Sequence, residues 1–459
     1  MLSISKPFKG AGRADYYLNL AREDYYLDDR EPPGRWLGEG ARPFDLSESV
    51  SGDDFRNLLA GYDAKRANAL VHNAGSPKRR SGWDLTWSVP KSVSVAWSQA
   101  TPKVREITEA EVWGSVCRAI RYLETLGVVS RRGTDGVVRE SARLTFAAFL
   151  HSTSRAQDPQ LHIHTILINL GIRPDGTTGT LDPRAIFRHQ LAAGALFRAE
   201  LAARLELRLG LRARREGRCF ELIGVDPALI AEFSKRRAQI EQRLRELGLS
   251  GPEAAEKAAF ETRDKKSALP RSTLFANWQE VGRTYHWSSK ELSWLINARF
   301  PERNVAQETA LCSDAALQAL TYHDSHFSAR QLVQALAEAA QGRGLNADTV
   351  IDLRERLLTS TQVVSLKTRF GEPRWTTPEM LTLEKHALQT ADNLHHRERN
   401  LPDARSLVNQ VLHNHAQLSV EQREALRHVT GHEGGIRVVT GMAGTGKSSL
   451  SGGPQISDQ

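Results

Sequence analysis

Three histidines carry the first hint of chemistry. His162 and His164 stand two apart in LHIHTILIN (residues 161–169), and His151 follows the apolar run at residues 144–150. Thr165, Ile166, Leu167 and Ile168 are β-branched or apolar, which reads as a buried strand, and along a strand alternate side chains share a face. His162 and His164 therefore project to one side, with Cα atoms about 6.5 to 7 Å apart. The polar stretch STSRAQDPQ (residues 152–160) is short enough for the two runs to pair antiparallel, which brings His151 alongside. Three neutral imidazoles leave a divalent cation with open positions for substrate, as in a catalytic site rather than a closed structural one. A lone histidine on a strand is as a rule a hydrogen-bonded residue, so the convergence of three carries the reading.

Two tyrosine pairs lie in the first thirty residues, Tyr16-Tyr17 and Tyr25-Tyr26, preceded by Asp15 and Asp24. One such pair is ordinary helix packing; two at this spacing are harder to assign to packing alone. A phenol can form a covalent phosphodiester with a DNA end, but with a pKa near 10 it needs a base, a metal-polarised phosphate, or both. A third part is GWDLTWSVPKSVS (residues 82–94), where Trp83, Leu85, Trp87 and Val89 alternate with Asp84, Thr86 and Ser88. That pattern predicts a half-buried strand ending at Pro90. An unpaired carboxylate would be costly there, so Asp84 needs a partner. A ligand imidazole, a tyrosine hydroxyl and a local turn are the candidates.

The elements that hold these residues must fit in 459 residues, enough for two or three domains. The net charge of +8 favours a polyanionic partner such as nucleic acid. Cys117, Cys219 and Cys312 are scattered with no CxxC, which argues against a disulfide framework or a thiolate zinc site and for a reducing cytoplasm. No apolar run approaches membrane-spanning length, and no signal-peptide core precedes the first motifs. The chain is therefore expected to be soluble, without membrane insertion.

Taken together, the tyrosine pairs, GWDLTWSVPKSVS and HSTSRAQDPQLHIHTILIN resemble the conjugative relaxases of the MobF class, the TraI and TrwC type, over roughly residues 1–300. The resemblance implies an α+β fold, a two-layer α/β sandwich with a central antiparallel sheet like that of HUH rolling-circle nucleases. It implies site- and strand-specific nicking and rejoining of single-stranded DNA at an origin of transfer, through a 5′-phosphotyrosine. Carried over by motif, Tyr16 is the first nucleophile and Tyr25 leads the second pair. Tyr17 and Tyr26 are auxiliary, His151, His162 and His164 hold the metal, and Asp84 orients them or acts as base. Mg2+ or Mn2+ is the implied metal, while the imidazole donors also suit Zn2+. Accessory nicking proteins and a type IV secretion coupling protein are the implied protein partners. A rolling-circle replication initiator, a non-catalytic DNA-binding remnant of a mobile element and a hydrolytic histidine-metal enzyme are the competing readings.

Around this centre, Arg155 in the loop between the ligand strands is placed to touch a DNA phosphate. The clusters Lys78-Arg79-Arg80, Arg212 to Arg218 and Lys235-Arg236-Arg237 read as solvated faces whose sum matches a phosphate-tracking surface. Helical periodicity is expected over residues 192–209 and 227–247. FETRDKKS (residues 260–267) resembles the family's basic connection at the edge of the DNA cleft. The expected organisation is a relaxase domain at 1–300, a helical, winged-helix-like region at 301–412 with an amphipathic segment at 328–336 and a hairpin at 363–377, and the start of a superfamily 1 helicase, a RecA-like P-loop domain, at 413–459. Within that last part, residues 417–429 with Gln422 resemble an adenine-reading motif. An apolar strand is expected at residues 436–439, leading into a phosphate loop with Gly441, Gly444, Gly446, Lys447 and Ser448. Only eleven residues follow Ser448, and LSGGPQISDQ is expected to break the helix that should carry the loop, so the ATP site is expected to be incomplete and unwinding by this chain alone is not expected.

Overall fold

The computed structural model describes residues 1–9, 33–46, 49–133, 138–251, 254–255, 257–258, 269–366, 371–397, 404–431 and 435–442. It separates into two compact units, Met1–Trp375 and Thr376–Gln459. The first is built on a six-stranded antiparallel sheet, as expected for the α+β class. Its strands are β1 (Leu2–Ile4), β2 (Phe8–Lys9), β3 (Arg35–Leu37), β4 (Arg80–Ser88), β5 (Phe146–Thr153) and β6 (Pro159–Ile168). They lie in the order β1-β4-β6-β5-β3, with β2 also paired to β4. Helices α1 (Gly52–Ala60), α2 (Lys91–Gln99), α3 (Pro102–Glu124) and α4 (Gln190–Leu209) pack on it.

Alternation sorts the sheet into two faces. Trp83, Leu85 and Trp87 of β4, Phe146, Ala148 and Leu150 of β5, and Leu161, Ile163 and Leu167 of β6 enter one large core with residues of α2, α3 and α4. The opposite parity, Ala147 and Phe149 with Ile166 and Ile168, makes a smaller core against Phe55, Leu58 and Leu59 of α1. Helix α1 is set locally: Ser51 accepts the Asp54 amide, acidic Asp53 and Asp54 fill the first turn, and Gly61 closes the last one at φ 94°. The second face is thus apolar at one end, where α1 covers it, and carries histidines at the other.

Helices α5 (Val305–Thr321), α6 (Ala329–Ala340) and α7 (Ala347–Leu358) belong to this same unit. Cys312, Leu332, Val333, Leu336, Val350 and Leu353 share the large core with Phe197 and Leu201 of α4. Buried Glu200 of α4 accepts the Ala347 amide at 2.8 Å, and Arg303 bridges Glu206 and Glu308. The expected amphipathic segment is α6, started by a Ser328–Gln331 capping box. The expected hairpin pairs Val364–Leu366 with Arg374–Thr376, with Gly371 at φ 102°. The helical pattern at 227–247 is split into Pro227–Glu232 and Lys235–Leu247.

The second unit contains helices Pro378–His396, Ala404–Asn414 and Val420–Val429. Gln422 is the third residue of the last of these and closes a capping box with Ser419. The strand expected at residues 436–439 is not formed: the segment pairs with no neighbour among the described residues, and Val438 is 72% exposed. A strand without a hydrogen-bonded partner has no ladder to hold it, whatever its propensity. Gly441 is described and exposed, whereas Gly444, Gly446, Lys447 and Ser448 lie outside the described residues. No helix among the described residues is long and apolar enough to cross a membrane.

His189, the residue before α4, gives the unit a pH response. Its Nδ1 lies 2.7 Å from Tyr122 Oη. Burial, then Arg330, Arg188 and Arg354, lower its pKa to about 4 from 6.5, so the neutral ring accepts the phenol proton. A lowered folded pKa means that protons favour the unfolded chain. The associated stability is complete above pH 6.5 and is lost as the pH falls toward 4. The thermal midpoint of the wild type is therefore expected to fall further between pH 7 and pH 4.5 than that of a His189→Gln variant, measured by circular dichroism.

Candidate metal centre

The parity that sends Leu161, Ile163 and Leu167 into the large core turns His162 and His164 to the other face. His151 on β5 sits opposite His162 in the ladder. The three rings meet edge to face, with centroids 5.3 Å (His151–His162), 4.8 Å (His151–His164) and 5.0 Å (His162–His164) apart. One ligating nitrogen from each lies within 4.8 Å of the others. His151 is 6% exposed and the other two are half-buried.

Hydrogen bonds fix two of the tautomers. His164 Nδ1 is 2.8 Å from Asp84 Oδ2, and His162 Nδ1 is 2.7 Å from the Gln160 carbonyl. Both partners are acceptors, so each Nδ1 carries the proton and each Nε2 keeps its lone pair. Thr86 donates to the second Asp84 oxygen at 3.2 Å, and Ser5 Oγ accepts the Asp84 amide at 3.0 Å. This is the carboxylate–imidazole arrangement that orients a ligand and raises its basicity. Three neutral nitrogens bring no charge of their own, so a divalent cation would keep its +2 with Asp84 as the nearby countercharge. Donor number, tautomer and backing carboxylate all fit such an ion.

The turn between β5 and β6 is tighter than the nine polar residues suggest. β5 runs on to Thr153 and β6 begins at Pro159. Ser154 closes the turn: its amide donates to the Asp158 carbonyl at 2.9 Å, and its hydroxyl accepts from the amides of Ala156 and Asp158. Gln157 takes the left-handed conformation at φ 58°. Arg155 is half-buried in this turn. Between the pairs His151↔His162 and Thr153↔Pro159 the register slips, setting Gln160 and Leu161 against Ser152 alone. The Gln160 carbonyl freed by this bulge is the one His162 uses.

Of the expected site residues, the structure brings together His151, His162, His164 and Asp84. Tyr16, Tyr17, Tyr25, Tyr26 and the segment at residues 260–267 lie outside the described residues. The basic clusters are mostly exposed, as expected, with exceptions at Arg79 and Arg212. Arg79 is 1% exposed and donates to the carbonyls of Leu59 and Asn169 and to Asn73 Oδ1, so it braces the fold. Arg212 pairs with Glu206, Arg214 with Glu216, Arg215 and Arg218 with Glu338, Lys235 with Glu232, and Arg237 with Glu241. Runs of like charge in sequence thus meet carboxylates supplied by packing or by the next helical turn. Thr86 and Ser5 were not singled out from the sequence; Thr86 shares the parity of Asp84, which was the available signal.

Comparison with known proteins adds three findings. The family described as TrwC relaxase matches residues 10–284. Over 172 residues the chain is 36% identical to the multifunctional conjugation protein TraI of Escherichia coli, and 34% identical to that of strain K12, covering 37% of this chain and 9% of either relative. Among solved structures, metal-bound conjugative relaxase TrwC in complex with OriT DNA is similar at a TM-score of 0.55 and 31% identity, over 63% of this chain and 100% of that one. A copper-bound TrwC complex gives 0.54 and 32% over the same shares. TrwC with a 27-mer DNA comprising the recognition hairpin and the cleavage site gives 0.54 and 29%, again over the same shares.

The Asp84–His164 contact makes a measurable demand. Asp84→Asn removes the charge and turns the tautomer preference of His164, and is expected to weaken Co2+ or Mn2+ binding about 10- to 100-fold, read by isothermal titration calorimetry. Wild-type affinity in the folded variant would show that the carboxylate does not tune the site.

Proposed function

Because the chain belongs to the TrwC relaxase family, we propose that it is a conjugative relaxase that nicks and rejoins single-stranded DNA at an origin of transfer. The observation that carries this reading is the convergence of His151, His162 and His164 on one sheet face, with Asp84 behind His164. Solved relatives that share the fold include complexes with OriT DNA, metal-bound in one case and copper-bound in another. That pairing of a three-imidazole site with a DNA substrate supports phosphoryl transfer rather than attack on a small molecule.

His151, His162 and His164 would hold the metal, with Mg2+ or Mn2+ as the first candidates and Zn2+ also suited to the imidazoles. When bound, the cation supplies Lewis-acid stabilisation of charge on a phosphate oxygen. Asp84 keeps His164 in the tautomer that presents Nε2 while its other oxygen accepts from Thr86, and its proposed role is to orient His164 or to act as base toward a tyrosine hydroxyl. Tyr16 is the proposed first nucleophile. Its phenolic oxygen bonds to phosphorus as the bond to the 3′ oxygen breaks. The phenol gives up its proton and the departing oxygen takes one up, so one phosphodiester replaces another and the step reverses readily. Tyr25 leads the second pair and serves a second cleavage, with Tyr17 and Tyr26 auxiliary. Arg155, in the turn joining the ligand strands, is proposed to meet the DNA backbone near the scissile phosphate. The secretion coupling protein and accessory nicking proteins are the proposed further partners.

Incubation with Mn2+ and a single-stranded oligonucleotide spanning the cognate nick site is expected to give a covalent protein–DNA adduct, seen as a shifted band on a denaturing gel. Tyr16→Phe should cut its yield at least 100-fold under single-turnover conditions, and Tyr16→Phe/Tyr25→Phe should abolish it. Undiminished adduct from the double variant would remove the tyrosines from the mechanism, and a gel shift without cleavage would reduce the chain to a DNA-binding protein.

A further inference from the structure

We propose that Lys91 and Ser94, in the first turn of α2, are positioning residues for the metal centre: their side chains replace the sheet ladder that would otherwise hold the start of the ligand strand β6. The inference rests on the metal-site reading above. Strands β4 and β6 pair in constant register from Gly82↔Ile168 to Ser88↔His162. Continued by one step, that register sets Val89 against Leu161; by two more, Lys91 against Pro159. The backbone does not continue. Pro90 becomes the residue before a helix, and α2 starts at Lys91.

Leu161 and Pro159 lose part of their ladder at this point, just ahead of His162. One ladder bond is retained and two side-chain bonds make good the rest. Val89 N–H still donates to the Leu161 carbonyl at 3.3 Å, the last backbone contribution. Leu161 N–H, which a straight β4 would match with the Val89 carbonyl, donates to Ser94 Oγ at 3.0 Å. Lys91 Nζ, in place of its own backbone amide, donates to the Pro159 carbonyl at 2.8 Å. Ser94 is fully buried, so a hydroxyl lost there leaves the Leu161 amide without its partner in a dry place.

The surroundings make the grip specific to this end of β6. The first turn of α2 is itself held from outside the helix: Glu221 Oε2 accepts the Ser92 amide at 2.9 Å, and Ser92 Oγ accepts the Leu222 amide at 2.8 Å. Trp278 Nε1 donates to the Gln157 carbonyl at 2.8 Å, so the turn is pinned on a further side. Burial of a lysine amine is costly, and burial does lower that of Lys91 to about 8 against the opposing pull of Asp158. An uncharged side chain would pack there more cheaply; what the lysine provides is a long donor that reaches Pro159. The bulge beyond His151 is held open in this way, and with it the Gln160 carbonyl that sets the His162 tautomer.

The test uses the full chain and Co2+, whose visible absorption reports ligand number and geometry. Wild type, Lys91→Met, Ser94→Ala and His162→Ala are titrated with Co2+, alongside the metal-free thermal midpoint and peptide-level hydrogen exchange across residues 159–164. Lys91→Met and Ser94→Ala are each expected to bind Co2+ about 10-fold more weakly with an altered spectrum, and to exchange the Leu161 amide faster, while the midpoint stays within a few degrees of wild type. A folded variant with wild-type Co2+ affinity and spectrum would overturn the proposal, whatever its midpoint. Ser94→Ala deletes one oxygen, and it decides the matter alone if Lys91→Met does not fold. Wild type and His162→Ala behaving alike toward Co2+ would instead overturn the metal reading, and this inference with it.

Discussion

The register between β4, β6 and β5 is the constraint on which the first unit depends. With Ser88 opposite His162 and His162 opposite His151, every second residue of three adjacent strands is committed to the large core. A slip of one residue would put Leu161, Ile163 and Leu167 on the open face and turn the imidazoles into the large core, at a cost of several large side chains. The hydrophobic effect that folds the domain is therefore also what aims the histidines. Asp84 and Thr86 obey the same parity, so the layer of hydrogen bonds behind His164 needs no separate device.

That common cause explains what could be read in advance. Alternation is local, and LHIHTILIN and GWDLTWS show it directly, so the strands, their faces and the company kept by Asp84 follow from neighbours two apart. The position of Lys91 and Ser94 does not. It depends on where β4 bends away and on which groups of β6 that bend strands, and neither is visible in PKSVS by itself. Arg79 shows the same limit from the other side. In a run of three cations it looks solvated, yet it answers carbonyls at Leu59 and Asn169, twenty and ninety residues away in sequence. The residues at 436–439 have strand composition but no partner among the described residues, and composition cannot supply one.

Charge tells a related story. The net +8 favours a polyanion, and the family's solved complexes hold DNA; Arg79 and Arg212 are enclosed by the fold, whereas Arg215 and Arg237 pair with carboxylates while staying exposed. Arg303, Glu206, Arg212, Glu308 and Arg343 form one chain of alternating charges joining α4 to α5 and the end of α6. The helical region from Val305 is thereby tied to the sheet's helical layer by ion pairs as well as by shared core, in one compact unit.

The ends of the tyrosine-bearing stretch are themselves sheet strands. It leaves from β2, paired to β4, and returns at β3, paired to β5, so its two anchors flank the strand that carries His162 and His164. Tyr16 lies seven residues from Lys9, a leash of about 25 Å at full extension, and Tyr25 lies ten from Arg35, or about 35 Å. Arg35 in turn sits beside Ala148, three residues along β5 from His151 and so roughly 10 Å away along the strand. Anchored on both neighbours of β6, the stretch has an upper bound on how far any of its residues can lie from the imidazoles, so the proposed nucleophile and the proposed metal ligands are kept within reach by chain length alone.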